Sequence, residues 1–143
     1  MAPIDGPTGG GQAGFGSGGS FTGPAEALEL AGDFCYSYSG VVAVSGSLTT
    51  CNKFTTGNYT AEVVVDFHGT FAQIGQDQIQ FEVKMNGSQI INTTWVATLD
   101  ASFLDFPSRL IIPPYTEIEV SLAQASGSDR NMETTITGEI HRD

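Results

Sequence analysis

Residues 78–98 read QIQFEVKMNGSQIINTTWVAT, and this stretch decides the fold. Ile79, Phe81, Val83 and Met85 alternate with Gln80, Glu82 and Lys84. A period of two puts apolar side chains on one face of a strand and polar ones on the other. Asn86-Gly87 follows at once, the strongest short-range hairpin signal, and a second strand runs on over 88–98.

The same period recurs on both sides of this hairpin. In 59–68, Ala61, Val63, Val65 and Phe67 alternate with Glu62, Asp66 and His68. In 115–123, Ile118, Val120 and Leu122 alternate with Glu117, Glu119 and Ser121. In 132–141, Met132, Thr134, Ile136 and Ile140 stand against Glu133, Thr135, Thr137 and Glu139. Each run predicts a strand with one face in the core and one in water. Gly57-Asn58 and Ser126-Gly-Ser-Asp mark turns. Pro113-Pro114 cannot donate to a ladder, so the strand at Leu110-Ile-Ile must stop there. Strands are expected over 33–39, 41–45, 48–55, 59–68, 78–85, 88–98, 109–112, 115–123 and 132–141. They number eight or nine, depending on whether the first two are one strand bent at a Gly40 bulge. Ala25–Leu30 has the composition for one turn of helix, ended by Gly32. The expected fold is therefore all-β: an antiparallel eight-stranded jelly-roll sandwich. The immunoglobulin sandwich is the alternative, although Cys35 and Cys51 lie too close in sequence for its intersheet pair.

Composition divides the chain near Pro24. Residues 1–24 are nearly all glycine and small polar residues, with Asp5 the only charge. Ordering that many residues costs roughly 1–2 kcal/mol each in backbone entropy. Burying Phe15 and Phe21 returns only about 1.5–3 kcal/mol apiece. Residues 1–24 are thus expected to form a flexible, extended glycine-rich arm, and residues 25–143 to form the sandwich. The arm is either a linker or spacer or, as its two phenylalanines suggest, a segment that orders against a partner.

The chain of 143 residues carries a net charge of −11, and its five basic residues are scattered. That balance excludes a partner held by its phosphates, so neither nucleic acid nor an anionic membrane is expected. It suits either a soluble protein kept from sticking to its neighbours or one that docks on a basic surface. No stretch has the length of a membrane span. The opening MAPIDGPTGG has neither a basic run nor an apolar core, so no secretory leader is expected. Cys35 and Cys51 are then expected as reduced thiols, a disulfide requiring that their strands be neighbours.

Few residues suggest chemistry. His68 and His141 are the only histidines, and no serine elbow accompanies His68 and Asp66 for a triad. Glu117 with Glu119, and Glu133 with Glu139, fall where alternation already demands polar residues, so no glycosidase pair is read there. Asp100 and Asp105 supply too few oxygens for calcium, and two cysteines and two histidines at these spacings match no zinc motif. No enzyme, cofactor or metal is expected. The functional signal lies in aromatics. Phe103 and Phe106, in the irregular stretch 99–108, either cover the end of the sandwich or meet another subunit. Trp95 belongs either to the core or an interface, or to a sugar-stacking platform.

Four segments carry a resemblance: Phe34-Cys-Tyr-Ser-Tyr-Ser-Gly-Val-Val-Ala-Val, Phe54-Thr-Thr-Gly-Asn-Tyr, Leu110-Ile-Ile-Pro-Pro-Tyr-Thr-Glu-Ile-Glu-Val and Thr135-Ile-Thr-Gly-Glu-Ile. They resemble jelly-roll proteins of the tailed-phage virion surface, namely head decoration or cement proteins and related spike domains. The architecture of that family is similar to the tumour-necrosis-factor-like trimeric jelly roll. The likeness covers most of 33–141 and leaves the arm out. It implies a homotrimer on the capsid surface, assembled in the host cytoplasm. Its partner would be the major capsid protein or another virion protein; no residue-level site transfers from the family, and Phe15, Phe21, Phe103 and Phe106 are the candidate contacts on the reading of the residues alone. The alternative is a carbohydrate- or receptor-binding module of a spike or tail, with Trp95 in the glycan site.

Overall fold

The computed structural model describes residues 23–69, 78–96, 108–124 and 130–142, with the side chains of residues 95 and 96 outside that description. Ten strands appear among the described residues: β1 (Glu29–Ala31), β2 (Phe34–Tyr38), β3 (Val42–Val44), β4 (Thr49–Thr55), β5 (Thr60–Gly69), β6 (Gln78–Met85), β7 (Ser88–Val96), β8 (Ser108–Ile112), β9 (Glu117–Gln124) and β10 (Arg130–His141). They form two antiparallel sheets. One has the order β1-β2-β10-β5-β8, with β3 also paired to β10; the other has the order β4-β9-β6-β7.

β2 and β3 lie end to end along the same side of β10, opposite 135–139 and 130–132. Counted as one interrupted strand after the short β1, they leave eight strands, which lie 1-8-3-6 in one sheet and 2-7-4-5 in the other. That order is the double Greek-key wrapping of a jelly roll. The interruption falls at Ser39-Gly40-Val41, where the sequence reading placed a bulge. There the Ser39 hydroxyl accepts from the Thr134 N–H at 2.8 Å, a side chain standing in for the missing backbone acceptor.

The core is the set that the period of two selects. Val63, Val65, Phe67, Ile79, Phe81, Val83, Ile118, Val120, Leu122, Met132 and Ile136 are buried between the sheets. The rings of Phe67 and Phe81 meet across the two layers at 4.9 Å. The Asn86-Gly87 hairpin has φ of 52° and 82° at its two residues, the left-handed pair that a two-residue turn requires.

The segment read as a turn of helix is extended instead. Gly23 and Ala25 are hydrogen-bonded to the sandwich before any helix could start. The Gly23 N–H donates to the Val41 carbonyl at 2.9 Å, and the Gly40 N–H donates to the Gly23 carbonyl at 2.8 Å. The Ala25 N–H donates to the Cys51 carbonyl at 2.8 Å, and the Lys53 N–H donates to the Ala25 carbonyl at 3.0 Å. These bonds tie the segment to both sheets. A six-residue helix offers too few bonds to compete. Gly23 and Ala25 are thus joined by backbone hydrogen bonds to the sandwich.

β8 ends at Pro113-Pro114 as expected, and the turn that follows stores strain. Tyr115 has φ of 55°, a left-handed conformation costing a side-chain-bearing residue about 1–2 kcal/mol. It is held there by its N–H donating to the Gly57 carbonyl at 3.0 Å and by the Thr56 hydroxyl accepting from the Thr116 N–H at 2.9 Å. The Tyr115 ring is 68% exposed, so it repays little by packing. Tyr115→Gly is expected to raise the melting temperature by roughly 2 °C, the strain relief exceeding glycine's extra entropy loss. An unchanged or lower melting temperature would show that the ring supports the turn.

Candidate functional site

The outer faces of the two sheets differ in chemistry, and the difference locates the site. On the four-stranded sheet, polar groups satisfy one another: Thr50 donates to Glu119 at 2.6 Å, Gln80 to Asn92 at 3.2 Å, and Gln89 to Glu82. On the six-stranded sheet, β2 turns its large residues outward. Phe34 is 60% and Tyr38 40% exposed, with Tyr36 half-buried between them, while the intervening Cys35 and Ser37 are buried.

This inversion has a packing cause. A β-bulge between Thr50 and Asn52 turns both Cys51 and Asn52 into the interior opposite β2. The Asn52 amide donates to the Ser37 hydroxyl at 3.1 Å and to the Ser37 carbonyl at 3.4 Å, and its oxygen accepts from the Thr134 hydroxyl. Polar groups from the facing sheet already fill that volume, so β2 has room only for small residues inside. Its aromatics are left on the outer face.

The register surrounds this aromatic row with defined neighbours. Towards β10, Phe34 stands opposite Glu139, Tyr36 opposite Thr137 and Tyr38 opposite Thr135. Towards β1, Tyr36 stands opposite Glu29 and Phe34 opposite Ala31. The rings of Tyr36 and Tyr38 lie 5.0 Å apart at 34°. An open cleft of about 380 Å³ runs along the row, floored by Thr137 and Gly138 and bordered by Glu139. Farther across the sheet, β5 and β8 add Val64 and the 64% exposed Ile111.

Ion pairs mark the rest of this face. The Arg109 guanidinium lies 3.2 Å from Glu62, whose other oxygen is 3.3 Å from His141 Nε2. His68 Nε2 lies 2.5 Å from Glu133. All are partly exposed, where such pairs contribute little to stability. His68 is thus engaged by Glu133, whereas Asp66 accepts from the Phe67 N–H at 2.8 Å, so the two do not form a dyad. Among the described residues, no three His, Cys, Asp or Glu side chains gather as a metal site, and no helix is long and apolar enough to cross a membrane.

Both cysteines are free and buried. Burial pushes the Cys51 thiol up to about 12, against smaller opposite effects of hydrogen bonds from Thr134 and the Leu122 backbone. Burial also raises Cys35. A protonated, buried thiol is inert, so neither is an activated nucleophile.

Of the residues singled out by sequence, Phe15, Phe21, Phe103 and Phe106 lie outside the described residues, as do Asp100 and Asp105. Trp95 is on β7 opposite Ile79, with its side chain outside the description. Sequence reasoning passed over Phe34, Tyr36 and Tyr38 as a site. The sequence does show three aromatics at every second position, separated by Cys35 and Ser37, but that alternation alone does not say which face is turned outward.

No protein-family model and no curated protein matches the chain. Among solved structures it is similar to tripeptidyl peptidase 2 (TPP II), with a TM-score of 0.52 and 10% identity over 80% of this chain. The match spans only 10% of the peptidase chain. It is also similar to CBM35 from Paenibacillus barcinonensis, with a TM-score of 0.37 and 9% identity, over 87% of this chain and 83% of that one. At such identities the peptidase likeness speaks to the fold alone, and it agrees with what the strand order states directly: the chain is an all-β jelly-roll sandwich.

Proposed function

We propose that the chain is a non-catalytic structural protein of a phage virion, a decoration or cement protein that binds the head lattice and stabilises it. The observation that carries the binding role is the outward aromatic row of Phe34, Tyr36 and Tyr38 on the six-stranded sheet. Exposed aromatics gain about 1.5–3 kcal/mol each when covered, and a cluster of them marks a contact surface. The virion setting and the homotrimer follow from the resemblance of 34–44, 54–59 and 110–120 to virion-surface jelly rolls. In this reading the arm with Phe15 and Phe21, and the 99–108 stretch with Phe103 and Phe106, supply further contacts to the capsid protein. Several copies on one particle add avidity without a tight single contact.

A second reading, a carbohydrate- or receptor-binding module, draws on the Tyr36–Tyr38 pair beside Thr137 and Glu139, a ring surface next to hydroxyl and carboxylate groups. The two separate in one comparison. Particles purified from an infected culture should carry the chain on the head surface in a cryo-reconstruction, and a chain lacking residues 1–22 should be lost from them. Heads without the chain, together with retention of a soluble glycan by the truncated protein, would overturn the decoration role in favour of the second reading.

A further inference from the structure

We propose that the aromatic row of β2 is a seat for cationic side chains, and that its occupant is an arginine-bearing segment of another protein. The proposal rests on the reading of this face as a contact surface, and not on its assignment to a virion. The two carboxylates beside the row provide the argument. Glu29 stands opposite Tyr36 on one side, and Glu139 stands opposite Phe34 on the other. Glu62 and Glu133, farther across the sheet, are engaged by Arg109, His141 and His68. Among the described residues, Glu29 and Glu139 have no ion-pair partner.

An aromatic strip between two uncompensated carboxylates discriminates among occupants. A second copy seated face to face would bring Glu29 and Glu139 against their own kind, and like charges across a contact suppress association. A purely apolar partner would desolvate both carboxylates with nothing in return. A phosphate-bearing partner would be repelled by them, and by the −11 charge of the chain. A guanidinium satisfies every group present: its plane stacks on a tyrosine ring while its N–H fork donates to a carboxylate. β2 is paired on both sides, to β1 and to β10, so the partner cannot add a strand here. It must lay side chains onto the face from above.

The test titrates the full chain with a synthetic twelve-residue peptide of alternating arginine and serine, and with the same peptide carrying citrulline for arginine. The readout is the nuclear magnetic resonance shift of the Tyr36 and Tyr38 rings and of neighbouring amides. The arginine peptide should shift the β2 and Thr137–Glu139 signals, with binding weakened on raising salt, while the uncharged citrulline peptide should bind at least about fivefold more weakly. Glu29→Gln with Glu139→Gln should weaken the arginine peptide by a similar factor; both positions are on the surface, and the amide spectrum reports whether the fold is kept. Equal binding of the citrulline peptide, or shifts that bypass β2 and ignore the two glutamine substitutions, would overturn the proposal. So would sedimentation equilibrium showing self-association that Tyr36→Ser with Tyr38→Ser abolishes, since the occupant would then be a second copy. In that last outcome the contact-surface reading survives and only the cationic occupant falls. If the double serine variant changes neither self-association nor attachment to particles, the contact-surface reading falls as well.

Discussion

Gly138→Ala is expected to lower stability by about 3 kcal/mol or more, a large share of the roughly 5–15 kcal/mol that holds a typical domain folded. Gly138 lies within β10, the strand that pairs with β2 on one side and β5 on the other. A Cβ built at this position would fall 1.9 Å from the Glu62 carbonyl oxygen and 2.7 Å from the Val63 Cα. Both obstacles are backbone, so no rotamer change relieves the clash. β5 would have to move away from β10, against ten paired residues between Met132–Gly69 and His141–Thr60. Such a shift breaks ladder hydrogen bonds on a strand that also carries the floor of the aromatic cleft. Urea unfolding followed by circular dichroism measures the effect, with Thr137→Ala as the exposed neighbouring control. A loss below about 1 kcal/mol would mean that the sheet yields locally at β5 and that the close approach is not required.

That glycine leaves a gap in the sequence pattern, although no close approach was read from it. The inward row of the last strand reads Met132, Thr134, Ile136 and Ile140, and the position it skips is Gly138. A glycine inside a strand pattern marks a close backbone approach. Other features were read, for local reasons: alternation selected the core rows of β5, β6, β9 and β10, and Asn86-Gly87 fixed a hairpin. What sequence could not supply was long-range. Alternation gives a strand two faces but not their destination, and the usual assignment puts the large residues inside. β2 reverses it because Asn52 and Cys51, brought inward by a bulge on another strand, already occupy the interior beside it. Nothing in 34–38 reports what sits at 51–52. The segment read as a turn of helix was misread for a related reason, since the hydrogen bonds that lead into it, from Gly23 and Ala25 to Gly40, Val41, Cys51 and Lys53, join residues distant in the chain.

The second large effect is expected at Asn52, and it connects the core to the candidate site. Asn52 is fully buried on β4, and its amide joins Ser37 on β2 to Thr134 on β10, across the two layers. Asn52→Ala leaves the hydroxyls of Ser37 and Thr134 in the core without this partner. Each unsatisfied buried group costs about 1–3 kcal/mol, so a total near 3 kcal/mol is expected after partial relaxation. The cost should depend on which groups remain. Asn52→Leu combined with Ser37→Ala and Thr134→Val removes every member of the network and should recover more than half of the loss, because an apolar replacement leaves nothing unpaired. The recovery, read from denaturant unfolding as departure from additivity, distinguishes a polar network from simple loss of volume. Equal losses in the single and triple variants would sink the argument. A second readout follows from position. Ser37 separates Tyr36 from Tyr38, and Thr134 holds Ser39, which precedes the Gly40 bonded to Gly23. Asn52→Ala should therefore increase amide exchange at 36–41 and at Gly23 before it does so in the β6–β7 hairpin. The buried asparagine would then set both the aromatic row and the point where the arm joins the sandwich.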